Sequence, residues 1–147
     1  MKIVVASDHA GYPLKQEIVK HLHELGHETV DVGTYSLDSC AYSEFGIKAG
    51  EKIRDHEVDC GIIMCGTGIG ISIACNKVQG VRCALVHNCE FAKLTRMHNN
   101  ANCLALAGRF TSVEDAIKIV DTYLTTPYEG GRHDARIKII SDYEMNK

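Results

Sequence analysis

The sequence predicts an α/β domain in which five short parallel strands carry helices on both faces. Two observations point there. Short apolar runs alternate with segments of helical periodicity from one end of the chain to the other, the pattern of successive βαβ units. The 147 residues contain no internal repeat, low-complexity tract or evident linker, so one domain with one sizeable core is the simplest reading.

Residues 3–6 read as the first strand. A helix over about 12–25 follows, with Leu14, Ile18, Leu22 and Leu25 at helical spacing and Gly26 as its stop. Residues 28–32 alternate like a half-buried strand closed by Gly33-Thr34, a loop runs through 36–43, and a helix is expected over about 44–56. The apolar run 60–64 is the third strand, and a short helix over 70–77 follows a glycine turn. Strands over 83–86 and 103–107 flank a helix over 89–98. A helix over 113–124 is capped by Thr111 or Ser112. After Pro127 the segment 131–143 reads as a closing helix. Its Ile137, Ile139 and Ile140 suit either this chain's own core or a partner subunit.

Composition narrows the function. The formal net charge is −3, so no global basic field would hold nucleic acid or an anionic membrane. No apolar run approaches the roughly 18–20 residues of a spanning helix, and the opening strand is too short for a signal peptide. A cytoplasmic protein is expected. The seven cysteines form no C-x-x-C. Cys60, Cys83 and Cys103 read as core, Cys40, Cys75 and Cys89 lack partner spacing, and a disulfide framework is not expected. His21, His23 and His27 read as a solvated helix surface rather than a metal site.

The informative stretch is Cys65-Gly66-Thr67-Gly68-Ile69-Gly70-Ile71-Ser72. A strand running into a glycine turn and a helix start aims bare backbone N–H groups at an anion, with the helix dipole behind them. A thiol at that mouth is easier to deprotonate. Neither Ile71 nor Ile73 supplies the third glycine of G-x-G-x-x-G, and no P-loop occurs, so a smaller anion than a dinucleotide is favoured. Arg132 and Arg136, at i,i+4, form a second anion feature that suits a phosphate monoester, the alternative being a solvated charged face. His98, ahead of Asn99, Asn100 and Asn102, is a proton carrier for neutral pH, and an asparagine C-cap explains Asn99 or Asn100. Asp8-His9 after the first strand could orient a polyol and touch an anion. Ligands of such folds bind beyond the carboxyl ends of the strands. Asp8, Cys65, His98 and Arg109 are all expected there.

Four ordered motifs span the chain: Ser7-Asp8-His9-Ala10-Gly11, the Cys65–Ser72 turn continued by Ile73-Ala74-x-Asn76-Lys77, Arg96-x-His98-Asn99-Asn100-Ala101-Asn102, and Tyr128-Glu129-Gly130-Gly131-Arg132-His133-x-x-Arg136. In these the chain resembles the type B ribose-5-phosphate isomerases, a family that includes galactose-6-phosphate isomerase subunits. The resemblance implies a Rossmann-like three-layer α/β/α sandwich. It implies a homodimer with sites at the subunit interface, dimer against tetramer being left open. It implies an aldose–ketose interconversion of a sugar phosphate with no metal and no cofactor. Carried over residue by residue, it makes Cys65 the base moving a proton between C2 and C1. Thr67 and the backbone around Gly66, Gly68 and Gly70 hold the enediolate oxygen, with Ser72 beside them in the motif. His98, aided by Asn99, opens the furanose ring, and Asp8 holds sugar hydroxyls. His9, Arg109, Arg132 and Arg136 bind the phosphate, some from the partner, and Tyr42 contacts the ring. Ser43 follows Tyr42 where the family often has proline.

The rivals are an isomerase of allose or galactose 6-phosphate, a non-enzymatic sugar-phosphate sensor, and covalent catalysis by Cys65. Galactose enzymes divide the site between unlike subunits, whereas this chain carries both Cys65 and His98, which suits a self-sufficient homodimer.

Overall fold

The computed structural model describes residues 1–146. The elements run β1 (Lys2–Ser7), α1 (Tyr12–Glu24), β2 (Glu28–Asp31), α2 (Tyr42–Arg54), β3 (Cys60–Cys65), α3 (Ile69–Asn76), β4 (Cys83–Leu85), α4 (Cys89–Asn99), β5 (Cys103–Ala107), α5 (Val113–Thr125) and α6 (Arg132–Met145). The expected three-layer α/β/α sandwich forms. Its sheet is wholly parallel, in the order β2-β1-β3-β5-β4.

Burial on both faces explains the near-continuous apolar runs. In β1, Ile3 and Val5 face one core with Leu14, Ile18 and Leu22 of α1 and Ile119 and Val120 of α5. Val4 and Ala6 face the other, with Phe45, Ala49 and Ile53 of α2 and Ile71 and Cys75 of α3. Each fully buried Ile or Leu contributes about 1.5–3 kcal/mol relative to exposure. Burial also pushes the Cys60 thiol up to about 12, which leaves it a protonated core side chain, as expected.

The ends differ in instructive ways. α2 starts at Tyr42 rather than 44, so Tyr42 and Ser43 are helical instead of loop. It stops at Arg54 rather than 56, and His56 has the positive φ of 55° that ends helices. α3 starts at Ile69 because left-handed Gly68, φ 76°, is its N-cap. Ser112, not Thr111, caps α5, accepting from the Asp115 N–H at 3.1 Å. Asn100, not Asn99, takes the left-handed position closing α4.

Two side-chain expectations change. His21, His23 and His27 are not merely solvated. His21 Nε2 lies 2.7 Å from Asp121, His23 reaches Thr29 at 2.9 Å, and His27 meets the N-terminus at 3.0 Å. Cys75, without a partner in sequence spacing, has its Sγ 3.9 Å from that of Cys103. Among the described residues no helix is long and apolar enough to cross a membrane.

Candidate active site

In this sheet the strand order reverses beside β1, so the carboxyl ends of β1 and β3 open a crevice between them. Asp8, His9, Tyr42, Cys65, Gly66, Thr67, Gly70 and Arg109 line a cleft of about 460 Å³ there, an ordinary size for a small-molecule site. Three chain segments meet at its floor through close backbone contact. Gly108 N–H donates to the Cys65 carbonyl at 2.8 Å and Arg109 N–H to the Gly66 carbonyl at 3.0 Å. A Cβ on Gly11 would stand 2.5 Å from the Met64 carbonyl oxygen, so the turn after β1 requires glycine to lie against β3.

The side chains are held by their neighbours. Asp8 is buried, and its Oδ1 accepts the Gly11 N–H at 3.0 Å, which leaves Oδ2 for a ligand. The Cys40 N–H donates to His9 Nδ1 at 3.2 Å, so a neutral His9 carries its proton on Nε2. The Arg109 guanidinium lies over Gly66, 3.6 Å from where a Cβ would be. Gly70 has the Tyr42 ring against it, 2.5 Å from a hypothetical Cβ, so ring and helix start are in contact. The first turn of α3 leaves amides without intrahelical acceptors. Thr67 Oγ1 accepts that of Ile69 at 3.2 Å, and the first α-helical bond runs from Ser72 N–H to the Gly68 carbonyl.

Two expected residues do not face the cleft. Ser72 is buried and turns its hydroxyl onto the Ile69 carbonyl at 2.8 Å. Gly68 is needed for its backbone, since a Cβ there would meet Leu85 at 2.5 Å and the Leu106 carbonyl oxygen at 2.8 Å.

His98, Asn99, Arg132 and Arg136 do not join Cys65 within the chain. The expectation that His98 stands at the carboxyl ends fails because α4 returns antiparallel to the strands, so its C-terminus lies at their amino ends. The following Asn100 accordingly lines a cavity with Met1, Asp59 and Cys60. There His98 stacks on His133, ring centroids 4.6 Å apart. Glu129 Oε2 lies 3.9 Å from each imidazole and its Oε1 lies 3.3 Å from Arg132. Arg136 donates to the Arg132 carbonyl at 3.0 Å. His133 is buried, and its Nε2 has no hydrogen-bond partner among the described residues. Desolvation holds its pKa below the usual histidine value, helped by Arg132, His98 and Arg136 and opposed by Glu129. These residues form a second polar cluster, apart from the first.

Sequence reasoning gave no role to Glu129, His133, Arg82 or Lys15. Arg82 donates to the Asn99 and Asn100 carbonyls at 3.0 and 2.9 Å and so fixes the turn after His98. Buried Lys15 ties Asp31, at 2.7 Å, to the Thr34 carbonyl and steadies the loop above the crevice. A lysine on the apolar stripe of an amphipathic helix was the available signal.

Comparison with known proteins agrees with this architecture. Residues 3–140 match the ribose/galactose isomerase family model. The chain is 42% identical over 146 residues to ribose-5-phosphate isomerase B of Escherichia coli strain K12, covering 99% of this chain and 98% of that protein. The structure of Clostridium thermocellum ribose-5-phosphate isomerase B superposes with a TM-score of 0.97 at 46% identity, over 99% of both chains. That of the Mycoplasma genitalium enzyme with bound ribulose 5-phosphate gives 0.94 at 42% identity, covering 99% and 97%. With these matches over nearly its whole length, the chain belongs to the ribose/galactose isomerase family.

Proposed function

We propose that this chain interconverts ribose 5-phosphate and ribulose 5-phosphate through an enediolate, in sites completed between two copies of itself. The carrying observation is the convergence of Cys65, Thr67, the start of α3, Asp8, His9 and Arg109 in one cleft. Kinship to isomerases acting on that pentose phosphate supports the substrate.

In this reading Asp8 holds sugar hydroxyls, and Arg109 with His9 Nε2–H grips the phosphate. The Cys65 thiolate takes the proton from C2 and returns it to C1, while the C2 hydroxyl proton passes to the C1 oxygen. Negative charge grows on oxygen as C2 loses its proton, and the Thr67 hydroxyl with the first-turn amides of α3 meets it. Donors aimed at such developing charge are worth about 10²–10³ in rate each. The remote phosphate fixes the reacting carbons against these groups.

Geometry supports the second copy. β5 alone spans about 16 Å at 3.3 Å per residue, which separates Cys65 from the His98 end of the same chain. Ring opening by His98 and Asn99, and a phosphate clamp by Arg132 and Arg136, therefore need another subunit's α4 and α6. The exposed Ile139 and Ile140 of α6, and Ile69 and Ile73 beside the cleft, offer apolar surface for that contact.

The test is turnover of ribose 5-phosphate, allose 6-phosphate and galactose 6-phosphate by EDTA-treated protein in reductant. Preference for the pentose is expected. Preference for a hexose would move the substrate, and no turnover by folded protein would overturn the reading.

A further inference from the structure

Three cysteines that the isomerase chemistry does not use meet where α3 crosses β4 and β5. Cys83 and Cys103 are register partners on neighbouring parallel strands. Cys75, in the last turn of α3, completes a triangle whose Sγ atoms all lie within 4.8 Å of one another. The Cys75–Cys103 edge is 3.9 Å. A tetrahedral ion with metal–sulfur bonds of about 2.3 Å holds its sulfurs about 3.8 Å apart, so this edge already has the required length.

The surroundings fix the triangle and give it an entrance. Asn76, next to Cys75, pairs with the Cys83 backbone in both directions: its Nδ2 donates to the carbonyl at 2.9 Å and its Oδ1 accepts the N–H at 2.8 Å. This clamp binds the end of α3 to β4, the kind of outer support that orients metal ligands. Gly61 leaves room for Cys103, whose Sγ would stand 3.0 Å from a Cβ there. Cys75 and Cys103 are fully buried, whereas Cys83 is half-buried and lines a groove of about 410 Å³ with Asn76, Thr95, Asn99 and Ile140. An ion could enter along that groove and keep a fourth position toward it.

We propose that Cys75, Cys83 and Cys103 form a three-thiolate site for a thiophilic cation of the zinc class, separate from the Cys65 cleft. Three soft donors select such an ion over magnesium or calcium. On binding, each thiol gives its proton to solvent, three protons leave per ion, and no electron moves.

The probe is Cd²⁺, titrated into the reduced, chelator-stripped full chain. One ion per chain should bind with an ultraviolet thiolate-to-metal charge-transfer band, raise Tm, and protect half-buried Cys83 from alkylation. Peptide mapping should place that protection at Cys83, whereas exposed Cys89 should stay reactive with the ion bound. Cys83→Ala, at the half-buried position, should weaken binding by more than about 100-fold, beyond what loss of an outer-shell partner does. Cys89→Ala and Cys65→Ala should leave the band intact. Absence of a band at equimolar Cd²⁺, its survival in Cys83→Ala, or its loss in Cys65→Ala would overturn the proposal. Should Cys75→Ala fail to fold, the band in Cys83→Ala and the alkylation of Cys83 in the unmutated chain still decide.

Discussion

Cys65 and His133 show how a residue's surroundings decide its role. Cys65 ends a buried strand, yet it borders the cleft beside Thr67 and Arg109. If it is the base, Cys65→Ala should fold normally and lower kcat by about 10²–10⁴, the usual contribution of a positioned acid–base group; steady-state kinetics at unchanged Tm checks this. His133 makes a different prediction. Burial disfavours its imidazolium, so its folded pKa lies below the unfolded value of about 6.5. The unfolded chain then binds the extra proton first. Stability is full above pH about 6.5 and declines as pH falls from there through the lower folded value. Tm measured from pH 7.5 to 5 should therefore drop less steeply in His133→Gln than in the unmutated protein, and equal slopes would refute this titration.

The glycine turn and α3 form the element on which the site depends. Gly68 has a φ of 76° and no space for a Cβ, whereas Gly80, at 85°, has nothing within 4 Å. Gly80→Ala should then cost only the left-handed strain of about 1–2 kcal/mol. Gly68→Ala adds collision with Leu85 and the backbone of Leu106 and should cost distinctly more, as denaturant titration of both variants would read. Gly70→Ala instead pushes on the Tyr42 ring, a side chain able to move, so its expected effect is on substrate KM rather than on Tm. The strand–turn–helix was legible because three glycines in five residues are visible in the sequence. The two-residue shift of α2 was not, since its N-cap, Ala41, offers no side-chain cap.

At the scale of the whole molecule, the two clusters sit at opposite ends of the parallel strands, which makes shared sites testable by mixing. Cys65→Ala and His98→Ala chains should each be nearly inactive alone. Unfolded and refolded together in equal amounts, they should regain about a quarter of normal activity. Half the two-fold dimers are then mixed, and each mixed dimer has one intact site of two. A site contained within one chain would leave the mixture inactive. Ile139→Glu, on the exposed face of α6, should shift the chain toward monomer in sedimentation and lose turnover with it.

What the sequence determined by itself was local and periodic: the alternation of strand and helix, the glycine turn after β3, the arginine pair one turn apart, and the four motifs that resemble the isomerase family. These depend on neighbours within a few residues, which a linear reading sees. Tertiary structure alone decided which of them meet. It brought Asp8, His9, Tyr42 and Arg109 to Cys65, because the strand order places the β1, β3 and β5 ends side by side. It sent His98 to the far end, because a helix joining parallel strands must run back along them. It also gathered Cys75, Cys83 and Cys103, since register between β4 and β5 and the packing of α3 are set by burial across the whole chain.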